Sequence, residues 1–186
     1  MVTCQPSKQK QKPDTTKLPD EIEVCPFAIA VDTREQMPWS FQGIVLGQKQ
    51  IVVKQQRQTM QTGDYSIVGR EDEIVIERKS VSDFLSSITT GNARFCREHE
   101  RMAAIVDGGI DGGGFACVVV EGDLAKICDD LDDPDGERQI KSSTVFGIAA
   151  SWPRRYRVPL YFAGDRRRAE LLGFRILWKY WGDNYA

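Results

Sequence analysis

Apolar residues along this chain fall in short runs separated by charged stretches, and the period inside the runs alternates between two values. Phe27-Ala28-Ile29-Ala30-Val31 is unbroken and ends in Asp32-Thr33-Arg34-Glu35, the pattern of a buried strand that delivers charged side chains at its carboxyl end. Residues 50 to 54 and 65 to 68 predict further strands. Glu73-Ile74-Val75-Ile76-Glu77-Arg78-Lys79 comes next. Residues two apart in a strand point the same way, so Glu77 and Lys79 share one face while Ile74 and Ile76 take the other.

From Ser80 the period lengthens. Ser80 and Asp83 form a capping-box-like start, and Phe84, Leu85 and Ile88 make the apolar side of a helix. Phe95, His99, Met102 and Val106 mark a second helix over residues 93 to 106. Residues 115 to 120 are the most strand-like run, and helices over 139 to 150 and 166 to 180 bracket a short strand at 158 to 162. Strands and helices in this order predict one α/β domain, a mixed sheet flanked by helices, over residues 25 to 186. Residues 1 to 24 form a Lys/Gln-rich leader, expected to be disordered or peripheral.

Composition narrows the chemistry. The formal charge of -2 gives no global basic field, so any affinity for nucleic acid must come from local clusters. The five cysteines are scattered and form no CxxC pair, which speaks against a disulfide framework or zinc knuckle and fits a reducing cytoplasm. No run approaches the roughly 18 apolar residues of a membrane span, and a soluble protein is expected. The single histidine, His99, falls on a helical apolar stripe and is read as a structural residue, so a Ser-His triad or a histidine-based metal site, which need imidazoles in the right places, is not expected. A metal site must therefore be built from carboxylates, which favour hard cations such as Mg2+ or Mn2+.

Asp64, in the turn Gly63-Asp64-Tyr65, can reach Glu77 from the neighbouring strand. Two carboxylates and an amine are the groups needed to hold a divalent cation, position a water and offset charge on a phosphodiester. Two stretches that resemble ligand loops fail on inspection. The Gly-rich segment 107 to 114 precedes a strand and lacks a following Lys-Ser or Lys-Thr, so it is expected to be a connector. In the acidic run 129 to 137, setting Gly136 as the loop glycine of an EF-hand puts Leu131 and Ser142 at ligand positions, so a solvated loop is expected. The cluster Arg166-Arg167-Arg168 opens the last helix, where the helix dipole disfavours cations, and contact with DNA phosphate is one explanation. Trp39 and Phe41 are expected in the core, with stacking on an unpaired base as the other use.

The motifs Val31-Asp32-Thr33-Arg34-Glu35, Thr62-Gly63-Asp64-Tyr65 and Glu77-Arg78-Lys79-Ser80-Val81-Ser82-Asp83, in that order, closely resemble the nuclease domain of XPF-type excision-repair endonucleases. The similarity continues through Gly91-Asn92-Ala93-Arg94-Phe95 and Val120-Glu121-Gly122. The resemblance implies a restriction-endonuclease-like fold and a Mg2+- or Mn2+-dependent endonuclease acting on branched or irregular DNA. By motif position it makes Asp64 and Glu77 metal ligands, Lys79 the catalytic lysine, and Asp32 and Glu35 further acids around the metal, with Asp32 a third ligand. Arg34 and Arg78 match the family's basic positions, as contacts to phosphate or as orienters of the carboxylates. Asp83 matches the family's last acid, although its capping role explains it equally well. A homodimer is also implied, with the apolar last helix as interface or core. Tandem helix-hairpin-helix elements, frequent in the family, find no room before Ala186, and a stand-alone nuclease domain is expected. Two rival functions stand beside this one: a noncatalytic DNA-binding partner subunit, and a restriction-like or junction-resolving nuclease.

Overall fold

In the computed structural model, which describes residues 21–109, 113–135 and 140–186, the sheet is organised by one long strand. β1 (Glu21–Asp32) pairs in parallel with β3 (Lys49–Gln58) on one side and antiparallel with β4 (Tyr65–Ile67) on the other. β2 (Ile44–Leu46) hangs antiparallel on β3. From β4 the sheet continues antiparallel to β5 (Ile74–Lys79), then parallel to β6 (Phe115–Val120) and β7 (Leu160–Phe162). The order β2-β3-β1-β4-β5-β6-β7 is the mixed sheet that the alternating and continuous apolar runs predict.

Helices cover both faces. α5 (Arg166–Asn184) packs Phe174 and Leu177 into a core with Ile29, Val31, Ile74 and Ile76. On the other face, α1 (Val81–Ile88), α2 (Asn92–Gly108), α3 (Leu124–Asp132) and α4 (Ser142–Tyr156) enclose Val75, Val118, Val120, Phe84 and Met102. The alternation in β5 therefore divides between two cores. Trp39 and Phe41 are buried as expected. Trp39 stacks on Tyr65 at 4.4 Å, and a Cβ on Gly173 would stand 2.5 Å from its ring, so α5 approaches as closely as a glycine permits. His99 is fully buried among Phe95, Trp152 and Tyr156, and donates through Nδ1 to the Phe95 carbonyl at 3.0 Å.

Three expectations need correction. β1 begins at Glu21, so residues 21 to 24 of the expected leader are strand, in register from Glu21↔Lys49 to Val24↔Val52. Backbone pairing with β3 holds them, and Lys49 ties Glu23 at 2.9 Å, so no apolar side-chain pattern was required. Residues 1 to 20 lie outside the described residues. Much of the acidic run is helical, because α3 buries Ile127, Cys128 and Leu131 on one side, caps its start with Asp123 and turns Asp129, Asp130 and Asp132 outward. Finally, α4 starts at Ser142 and runs through Pro153 to Tyr156, further than the predicted end at 150. Residues 110–112 of the Gly-rich segment and 136–139, at the end of the acidic run, lie outside the described residues. No helix among the described residues is long and apolar enough to cross a membrane, and the described cysteines are free.

Candidate active site

The carboxyl ends of β1 and β5 and the turn into β4 open on one cleft of about 780 Å³, whose far wall is α1 and α2. Gly63 makes the turn with φ +76°; a Cβ there would meet Val75 Cβ at 2.9 Å. Only glycine fits this position comfortably, and the turn delivers Asp64 opposite β5. Asp64 is fixed by its backbone, donating to the Ile76 carbonyl at 2.8 Å, and by its carboxylate, which accepts from the Arg78 N–H at 2.8 Å. Glu77 and Lys79 point into the cleft from the same face of β5, as the period of two requires, and Lys79 Nζ lies 2.5 Å from Glu77 Oε1.

Charge in this corner is poorly compensated. Burial pushes the Asp64 carboxyl up to about 7, helped by the charges of Glu35 and Glu98 and opposed by the Arg78 N–H and Lys79. Burial, and then Asp64 itself, hold Glu77 well above the usual carboxylate range. Lys79 is the inverse case: burial would lower it, but Glu77 and Glu98 together keep it above its ordinary value.

The other expected site residues form a different structure. Asp32, 1% exposed, has both oxygens occupied: Oδ1 accepts from the Arg34 N–H at 2.7 Å and Nε at 2.8 Å, while Oδ2 accepts from Arg34 Nη2 at 3.0 Å and the Met60 N–H at 2.8 Å. Burial raises its pKa, but these bonds outweigh burial and hold it below the ordinary value. Asp32, expected as a metal ligand, lines the same cleft as Asp64 and Glu77, and through these bonds it also clamps its own loop. Arg34 also donates to the Met60 carbonyl at 2.6 Å. Glu35 accepts from the Met37 N–H at 2.6 Å and from Arg78 Nε at 3.1 Å. Arg78 is buried between Glu35 and Glu121, its Nη1 3.2 Å from the latter, so its guanidinium is a strut and its N–H serves Asp64.

Asp83 supports the cap of α1: the N-cap Ser80 Oγ accepts from its N–H at 3.1 Å and donates to its carboxylate at 2.7 Å. The three arginines that open α5 each have an intramolecular partner. Arg166 binds Glu121 at 3.0 Å and the carbonyls of Met37 and Pro38, Arg167 binds Glu170 and the Gly43 carbonyl, and Arg168 binds Asp165. These bonds account for basic residues in a first helical turn. α2 adds residues that were not singled out as cleft groups from sequence: Arg94, Glu98 and Arg101 line the cleft, with Arg101 Nε donating to Thr62 Oγ1 at 3.1 Å. Their spacing of four and three residues was the available signal, a polar ridge beside the Phe95 and Met102 stripe. Glu121, at the end of β6, was likewise unrecognised as the partner of Arg78.

A mixed sheet whose strand ends gather two acids and a lysine in one cleft defines an XPF-type nuclease domain. The ERCC4 domain model matches residues 31–171, and the chain belongs to that family. Among solved structures, it is similar to XPF from Aeropyrum pernix, with TM-score 0.52, 19% identity, and coverage of 82% of this chain and 60% of that one. It is also similar to XPF from Aeropyrum pernix in complex with DNA, with TM-score 0.52, 20% identity, and coverage of 84% and 66%. The chain thus spans about two thirds or less of the length of these structures. No curated protein sequence matches it.

Proposed function

We propose that this domain is a divalent-cation-dependent DNA endonuclease that hydrolyses phosphodiester bonds in branched or irregular DNA. The observation that carries the proposal is the meeting of Asp64, Glu77 and Lys79 in one cleft, with carboxylates whose negative charge the protein itself leaves poorly neutralised. Among the described residues no trio of His, Cys, Asp or Glu is arranged to hold an ion unaided. Two carboxylates with an open cleft fit Mg2+ or Mn2+, because such ions are usually held by one or two acids together with waters and substrate phosphate.

Asp64 and Glu77 would hold the ion. A bound ion would supply Lewis acidity for the phosphate and for the attacking water. Lys79 would place its ammonium beside the scissile phosphate, to orient the nucleophile or offset the charge. Arg94 and Arg101, exposed on α2, supply cations at the cleft wall for neighbouring phosphates. Arg78 positions Asp64 through its N–H, and Asp32 and Glu35 fix the loop that faces the ion. Arg166, Arg167 and Arg168 enter as staples of α5, and that helix commits Phe174 and Leu177 to the chain's own core, so pairing of two copies needs no exposed part of them.

The test is incubation of the purified protein with flap, fork, four-way and plain duplex DNA, with Mg2+, Mn2+ or a chelator. Cutting that needs the ion, prefers a branched substrate and is lost in Lys79→Ala and Glu77→Gln is the expected result. Binding without cutting in both ions would favour a noncatalytic partner subunit, and equal cutting of plain duplex would favour a restriction-like enzyme.

A further inference from the structure

Lys79 is bracketed by two carboxylates. Glu77 Oε1 stands 2.5 Å from its Nζ, and Glu98 Oε2 stands 3.5 Å away on α2, a different element. The Phe95 ring, one helical turn before Glu98, lies with its centroid 5.2 Å from the same ammonium. The three groups hold one cation in a corner where the Glu98 side chain is 15% exposed and the Lys79 side chain 10%. A structural ion pair would need only one of the two acids. Their duplication has a consequence once Glu77 is assigned to a divalent cation. A carboxylate that coordinates an ion gives up much of its attraction for a neighbouring ammonium, and the ion itself repels that ammonium. Lys79 would then be driven from the place where it works, unless a second carboxylate remained that the ion did not claim.

We propose that Glu98 is the positioning residue of this site, the carboxylate that keeps the Lys79 ammonium in the cleft while Glu77 is engaged by the cation. The proposal rests on the nuclease function proposed above. α2 suits this task because Phe95 and Met102 anchor it in the core, so Glu98 is presented from a fixed helix. Glu98 acts through Lys79 and touches neither the ion nor the DNA.

The test compares wild type, Glu98→Gln and Glu98→Ala in single-turnover cleavage at saturating Mg2+, with DNA Kd, Mn2+ affinity by calorimetry and melting temperature measured alongside. Glu98→Ala is expected to slow the cleavage step by roughly 10- to 100-fold, while DNA Kd and Mn2+ affinity stay within about twofold of wild type. Glu98→Gln, which still offers Lys79 an acceptor, recovers a substantial part of the rate. Cleavage by Glu98→Ala at the wild-type rate overturns the proposal, as does a tenfold loss of Mn2+ affinity, which would make Glu98 a ligand. Equal rate loss in both variants with equally lowered melting temperatures also overturns it, reducing Glu98 to a packing residue. Failure of the wild type to cut any substrate speaks against the nuclease function and is seen in the first arm, separately from these outcomes.

Discussion

Two clusters of charge lie on opposite sides of β5, only a residue apart in sequence, and they are built on opposite rules. On the side of Arg78, acids and arginines match: Glu35 and Glu121 take Arg78, and Glu121 also takes Arg166. On the side of Glu77 and Lys79, three acids, Asp64, Glu77 and Glu98, face one lysine. The first arrangement gives each acid a cation; the second leaves Asp64 and Glu77 with raised pKa, while Asp32 on the same face is held low by Arg34 and the Met60 N–H. Charges that are buried and unmatched cost stability, and a protein keeps them where it needs them for binding or chemistry. The contrast separates scaffold from site more sharply than the motif does, since the motif contains residues of both clusters.

The largest effects should come from breaking the unmatched side. Lys79→Ala and Glu77→Gln are expected to reduce cleavage by about 10³-fold or more, measured in single turnover. Glu77→Gln should at the same time hold or raise the melting temperature, because it removes a buried carboxylate that burial disfavours. Loss of fold in Glu77→Gln would show that the cluster is structural after all.

Breaking the matched side should act the other way round. Arg78→Ala leaves Glu35 buried without its cation and Glu121 with Arg166 alone, and is expected to destabilise by about 3 kcal/mol in denaturant unfolding.

Matched and unmatched carboxylates should also give stability slopes of opposite sign with pH. Asp64 in the folded protein titrates at about 7 against an ordinary 3.8, so between those values the unfolded chain is the first to release the proton. Its contribution is fully present below 3.8 and is lost as pH rises through 7, on the order of 4 kcal/mol in the cation-free protein. Asp64→Asn should flatten that fall, and Mg2+ should offset it. Asp32 is held below its ordinary value, so its contribution is present above 3.8 and is lost as pH falls below it. Melting curves from pH 3 to 8 on the two Asn variants would resolve the pair.

The smallest effects concern DNA. Replacing Arg94 and Arg101 by Gln should flatten the salt dependence of DNA binding by about one unit for each phosphate that is no longer neutralised. Replacing Arg166, Arg167 and Arg168 should leave that slope unchanged and cost about 1 kcal/mol or less at the exposed Arg168–Asp165 pair, and more at Arg166 and Arg167, whose partners Glu121 and Glu170 are largely buried. A slope that responds to the α5 triplet would return those arginines to the DNA surface.

The primary structure by itself determined the strands that bury both faces, the opposed faces of β5 and the capped start of α1, because each is written in a local period or a short-range bond. It also placed Gly63 and Asp64 before β4 and put Glu77 and Lys79 on one face. Elements whose apolar signal was interrupted escaped it. β3 ends in Gln55-Gln56-Arg57-Gln58 and is held by backbone pairing with β1, and α3 hides three buried residues among aspartates. Only tertiary structure decided which charges meet. Asp32 and Glu77 lie in equally acidic motifs and line one cleft, yet Asp32 is tied to Arg34 and the Met60 N–H while Glu77 meets Lys79, and Glu98 reaches Lys79 only because α2 crosses the end of β5. Burial and ion pairing depend on distances between residues far apart in the chain, and those distances are fixed by packing rather than by sequence period.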